Sequence, residues 1–529
     1  MSAHLPARVL SMASILAAVA LGSSACAGST AASGQTPQIF TVATTAAVTT
    51  WDPVASFSTE ALYMANMYEG LLRANPPGSA QPFSPVLATS WSTSSDGLTW
   101  TFNLRHGVKF SDGEPFNATA AVLSIEAAAK RAGAAFIWAP VKSVVATSPY
   151  TLQINLKYAA PVDLIASSTY GAWMVAPKAL SASAKNAKYF ESGISAGTGP
   201  YQLTSYTPGT EVVLSKVPGY WGGWSGSHPS KIVFKITPEA VQEQEMLQGG
   251  QVDLALTLPE TSYATFKANP GYQVVADPSW FNYIAFFNVL RPPLNNVLVR
   301  QALSYAMPYQ EMIKVGAYGY ATQSRGAAPK GVYPYSDTVP QYGYDLVKAR
   351  QLLTKAGHPG GHFTLNLTYA AENELESRIA PVIKDSFAKI GVTVNIKAIL
   401  FNQQWAQAKS NPKSAQDIFL LLYWPTYADA GNDNLHSMFH SATPPFFNLS
   451  YWSDKTYDSL IDTAETYEVT NPAKAQALYN QAQDRLVSQA PGAFLMDAQA
   501  VYVVPKTVKG FSYNENYPFS LFFYNMSKS

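Results

Sequence analysis

The residues best placed to do chemistry stand at the end of an apolar run. Ile418 to Trp424 reads IFLLLYW and stops at Pro425, the pattern of a strand buried on both faces. In open α/β sheets, ligands bind beyond the carboxyl ends of strands, where loops are free of packing duty. Trp424, Tyr427 and Asp429 are delivered to that place: an indole wall, a phenol and a carboxylate. The competing reading makes Trp424 core and Asp429 a turn residue. Trp51-Asp52, followed by Pro53, offers a second indole and carboxylate after the alternating TVATTAAVTT, although Asp-Pro is also an ordinary turn pair. Trp138, Trp173 and Trp405 are further candidates, each able to wall a pocket or to fill a core.

Asp429, Asp433, His436 and His440 fall at steps of four, three and four. On a helix they would share one face and suit a metal. Gly431 disfavours that helix and Asn432 and Asn434 favour a turn, so no metal is expected. Gly193-Ile194-Ser195-Ala196-Gly197 matches the hydrolase elbow G-x-S-x-G, which must follow a buried strand and open a helix. Here it follows AKNAKYFES and runs into GTGPY, which reads as a glycine-rich loop. No His-Glu-x-x-His, phosphate loop or dinucleotide fingerprint occurs. No enzyme activity and no cofactor are expected.

The elements that must position these residues are legible from periodicity. Phe363, Leu365, Leu367 and Tyr369 alternate as a strand; Ile379, Val382, Ile383, Phe387 and Ile390 form a helical stripe closed by Gly391; Val392, Val394 and Ile396 alternate again. Asp345 can cap a helix with the stripe Leu346, Ala349, Leu352, Leu353 and Ala356, ended by Gly357. A helix from Ala240 to Gln248 stops at Gly249-Gly250 and feeds a strand from Val252 to Leu256. Leu98, Trp100, Phe102 and Leu104 share one face of a hairpin strand entered through Asp96-Gly97. Strands alternating with helices imply a mainly parallel α/β sheet from Phe363 onward.

At 529 residues the chain divides into two or three lobes. A net charge of +1 argues against a nucleic-acid partner, which would demand a clustered basic face. Met1 to Ala25 has the layout of an export signal, with Arg8, an apolar run from Val9 to Leu21 and small residues before Cys26. Cys26 is the single cysteine, so no internal disulfide is expected. Its place after LGSSA resembles a lipobox, with Ser23 where such motifs favour Leu; ordinary signal cleavage is the alternative. Residues 26–37 read as a flexible tether, so the membrane is expected to be touched only through a lipid anchor.

Several phrases carry a family resemblance. YEGLLRANPPGSAQPFSPVLATSWSTSSDGLTWTFNLRHGVKFSD from Tyr68 to Asp112, GTGPYQL, VPGYW, LQGGQVDLAL, VRQALSYAM, YDLVKARQLLTKAGH and VKGF stand in family order. The chain resembles the peptide- and nickel-type solute-binding proteins of extracellular family 5, which serve ABC importers. The resemblance implies a periplasmic-binding-protein-like α/β fold of two lobes around a cleft, with an inserted extra domain. Carried over, lobe I comprises 38–81, 199–278 and 498–529, the inserted domain 82–198, and lobe II 279–497. It implies a monomer at the outer face of the cell membrane that passes a small-molecule or peptide ligand to permease subunits. The peptide-binding members carry a Trp followed three residues later by an Asp that pairs with the peptide's ammonium group. Trp424 matches that Trp, but Tyr427 stands where the Asp belongs. A phenol cannot supply the missing charge, so either Asp429 takes over or the ligand is not read through a free N-terminus. A small oligosaccharide is the alternative ligand, and a sensor without transport the alternative role.

Overall fold

Three larger sheets, beside two of two strands each, organise the described residues, and each draws on different sequence segments. The computed structural model describes residues 38–131, 133–442 and 447–529; the export signal, the tether and Cys26 lie outside the described residues. The five-stranded sheet runs in the order Leu254–Ala255, Ile39–Thr44, Lys231–Ile236, Glu211–Lys216, Tyr201–Thr207. Ile39–Thr44 lies parallel to both of its neighbours, while the remaining pairs are antiparallel. A second, four-stranded antiparallel sheet is made entirely from residues 88–156. Its strand Thr99–Leu104 buries Trp100, Phe102 and Leu104 on one face. Gly97 turns the chain into that strand with φ +70°, a conformation that favours glycine.

The six-stranded sheet runs Ala321–Thr322, Gly492–Pro505, Tyr272–Phe287, Ile418–Tyr423, Phe363–Ala370, Val392–Ile399. Only the last three strands are mutually parallel; the others pair antiparallel. The expectation of a mainly parallel sheet is therefore corrected to a mixed one. Two long strands cause the departure. Tyr272–Phe287 and Gly492–Pro505 form an antiparallel pair, and their pairing is interrupted between Pro278 and Asn282. They come from stretches more than two hundred residues apart, so the route of the chain sets their direction and no βαβ crossover constrains them.

Helices cover this sheet as their caps and stripes require. Asp345 accepts the amide of Lys348 at 2.9 Å to start Leu346–Lys355, the expected N-cap geometry. Glu374–Ala388 begins on Asn373, which accepts the amide of Glu376, and buries Ile379, Ile383 and Phe387. Gly391 follows with φ +78°; a Cβ there would lie 1.9 Å from the Gly360 carbonyl oxygen, so no other residue fits. Among the described residues no helix is long and apolar enough to cross a membrane.

Candidate functional site

A cavity of about 940 Å³ opens between the five-stranded and six-stranded sheets. The three parallel strands, which end at Ala370, Ile399 and Tyr423, all aim their carboxyl ends at it. They supply Ala370 to Glu376, Phe401, Leu421, Leu422 and Trp424 as one wall. Thr44 to Ala46 and Leu256 to Leu258 supply the opposite wall, and Phe281, Tyr283 and Gln499 come from the two long connecting strands. Phe519 completes an aromatic trio. Its ring lies 4.9 Å from Trp424 and 5.1 Å from Phe281, with Phe281 6.4 Å from Trp424. These edge-on and tilted arrangements are favourable aromatic geometry. Phe519 is held at φ +62°, a left-handed conformation that costs a non-glycine residue about 1–2 kcal/mol.

Each wall is fastened by a buried glutamate. Glu376 accepts the amide of Ala370 at 2.9 Å through Oε2 and that of Leu422 at 3.0 Å through Oε1. It thereby ties the ends of two parallel strands together. Burial raises its carboxyl to about 8, against the pull of those two amides. Glu243 accepts Leu256 N at 3.0 Å and Thr257 N at 2.9 Å, both through Oε2. Its Oε1 makes no well-formed hydrogen bond, and burial raises this carboxyl to about 7. One ion pair joins the walls directly: Arg378 Nη2 lies 2.7 Å from Glu260 and Nη1 3.2 Å from Glu374. The same guanidinium also donates to the Gly316 carbonyl.

Of the candidates named from sequence, the structure places Trp424 in the cavity wall. After Pro425 the chain turns inward, so Tyr427 and Asp429 are 3% and 1% exposed and lie outside the lining. The Tyr427 hydroxyl donates to Asn432 Oδ1 at 2.9 Å. Asp429 Oδ1 accepts the amides of Gly431 and Asn432. Burial raises its carboxyl, as it does that of neighbouring Glu468, to which Tyr479 donates. Asp52 is paired with Arg131 and accepts Val54 N, while Trp51 packs against Tyr63 and Tyr206. Trp138 donates to the Gly171 carbonyl at 2.7 Å, and Trp173 packs on Tyr68, both within cores. Trp405 stands one residue group behind the wall, against the cavity residue Phe401 at 5.9 Å.

The segment read as a turn is helical instead: Gly431–Ser437 forms a π-helix. Asp429 receives its first amides, and Gly431 is required because a Cβ would meet the Tyr479 ring at 2.6 Å. Asp433 faces Tyr423 and the amide of Thr426, His436 faces Glu465 and His440 faces Asp462. The four side chains thus find their hydrogen-bond partners separately, although the His436 and His440 rings stack on each other at 4.4 Å. Ser195 Oγ accepts Leu203 N at 2.8 Å within a loop, away from any strand-to-helix elbow.

The model of Bacterial extracellular solute-binding proteins, family 5 Middle matches residues 82–446. The chain belongs to this family. The glutathione-binding protein GsiB of Salmonella typhimurium strain LT2 is 29% identical over 479 residues, covering 89% of this chain and 91% of the relative. Among solved structures, the DppA binding protein of Helicobacter pylori in complex with the peptide STSA is similar. Its TM-score is 0.79 at 23% identity, over 93% of this chain and 98% of that one. NikZ of Campylobacter jejuni in complex with Ni(L-His) gives a TM-score of 0.79 at 22% identity, over 93% and 99%.

In this family 5 member, sequence reasoning overlooked most of the cavity wall. It followed the carboxyl end of one parallel strand to Trp424 and stopped. The same rule applied to the strands ending at Ala370 and Ile399 leads to Glu372, Glu374, Glu376 and Phe401. Phe281 and Phe519 had no comparable signal, because each reaches the cavity through the long connecting strands or the C-terminal segment.

Proposed function

We propose that this family 5 protein captures a short peptide or peptide-like solute between its lobes and presents it to the permease of an ABC importer. The carrying observation is the cavity of about 940 Å³ bridged by two long strands whose pairing breaks at its edge. The volume is at the upper end of small-molecule pockets, roughly 300–1,000 Å³. The interrupted strand pair is a natural hinge for closure. The aromatic trio supplies apolar walls, and the strand ends supply backbone hydrogen bonds. GsiB, named for a peptide-like solute, and DppA, solved with a peptide, support the ligand class. The process involves no covalent step. Lobe I takes in 38–81, 199–278 and 498–529, the inserted domain 82–198 and lobe II 279–497, a division supported by the separate sheets. The protein works as a monomer outside the cytoplasm, anchored through acylated Cys26.

A thermal-shift screen of the purified protein tests the ligand class, using peptides of two to eight residues, oligosaccharides and Ni(L-His). A peptide at a hundred times its dissociation constant stabilises by about 2.7 kcal/mol. Stabilisation by oligosaccharides alone overturns the peptide reading.

A further inference from the structure

The ionisable groups lining the cavity are of one sign. Glu239, Glu260, Glu372 and Glu374 border it with the buried Glu376, and no lysine or arginine is among its lining residues. The open cleft with its aromatic trio defines the site; the carboxylates determine which solute it prefers. Three of the five are already engaged. Arg378 compensates Glu260 and Glu374, and Glu376 gives both oxygens to backbone amides. Glu239 and Glu372 remain. Both are exposed, and neither forms an ion pair among the described residues. Glu372 accepts one hydrogen bond, from Phe401 N at 3.0 Å through Oε1, and its second oxygen has no hydrogen bond among the described residues. They approach from opposite walls, Glu239 from the start of Ala240–Gln248 and Glu372 from the loop before Glu374–Ala388.

Resting on the peptide reading above, we infer that the solute is a peptide of net positive charge, carrying lysine or arginine, and that Glu239 and Glu372 select it. Carboxylates at the rim of a low-dielectric cleft concentrate cations and repel anions. Glutathione carries two carboxylates against one ammonium. The cavity is therefore mismatched to the solute for which GsiB is named, although the chains are related over most of their length.

Calorimetric titration of the whole protein with Ala-Lys-Ala, Ala-Gln-Ala, Ala-Glu-Ala, glutathione and the diamine cadaverine decides this. The lysine peptide is expected to bind at least about tenfold more tightly than the glutamate peptide. That gap closes in the E239Q/E372Q double variant and narrows at high salt, as exposed charges require. Equal or tighter binding of the neutral or acidic peptides overturns the inference and leaves the peptide reading standing. A gap that persists in the double variant overturns the assignment to these two glutamates. Binding of cadaverine with no peptide bound upholds the charge preference and overturns the peptide reading. Silence from every probe overturns both.

Discussion

Glu243 and Glu376 perform one task on the two sides of the cavity with different hydrogen-bond arrangements. Each is a buried carboxylate that accepts two backbone amides from the wall it supports. Glu376 uses both oxygens, one for each of two different strands. Glu243 crowds both amides onto one oxygen and leaves the other poorly served. The six-stranded wall is thus clamped across strands by well-formed bonds at both oxygens, whereas the five-stranded wall is gripped firmly only at Leu256 to Thr257, with the Thr45 amide drawn in more loosely. Burial of the same residue type fixes a rigid wall only when the geometry engages both oxygens.

The comparison breaks first at Glu376→Ala. Orphaning two buried amides costs about 1–3 kcal/mol each, so the unfolding midpoint should fall by the equivalent of roughly 4 kcal/mol, the largest effect expected. Next comes the paired amide substitution. In Glu376→Gln the new NH2 must face one of two donors, at a cost of about 2 kcal/mol. In Glu243→Gln the amide nitrogen can occupy the poorly served position, and the cost stays below about 1 kcal/mol. Equal losses in the two variants, measured by thermal unfolding, would erase the distinction between the walls.

Acidity sharpens it further. Both folded carboxyls lie above the ordinary value of 4.5, at about 8 for Glu376 and about 7 for Glu243. The folded state therefore holds its protons more tightly than the unfolded one. The associated stability is complete below pH 4.5 and is lost as pH rises through the folded values. Thermal scans from pH 5 to 8 should show a decline. E376Q should remove its share of the slope up to about pH 8, and E243Q its share only up to about pH 7. Arg378→Ala should have the smallest effect. It removes a partly exposed ion pair between the walls, worth about 1 kcal/mol, read in the free energy of unfolding.

How far the sequence revealed these walls depends on where each residue finds its partners. The strands Phe363–Ala370, Val392–Ile399 and Ile418–Tyr423, and the helix capped by Asp345, show as period and cap, because those signals are local. The mixed sheet did not show, since Tyr272–Phe287 pairs with a strand more than two hundred residues away. Trp424 was reachable as the residue after a buried strand. Asp429 was misleading because the chain after Pro425 turns inward and its carboxylate is taken up by the amides of Gly431 and Asn432. Glu243 and Glu376 look like ordinary helix-face acids until the loops they grip are brought over them.

The five-stranded sheet also dictates when the molecule can become whole. Ile39 takes Lys231 as its ladder partner, the Gln38 side chain donates to the carbonyl of Lys528, and the Lys528 ammonium pairs with Asp253. During synthesis the first strand must therefore wait, unpaired, until Lys231–Ile236 and Leu254–Ala255 are made, and the contacts of Gln38 and Asp253 wait for Lys528. Such long-separation contacts make folding slow. The contacts of Lys528 are the last of these to form, and a chain arrested before its final residues lacks that tie across the sheet edge.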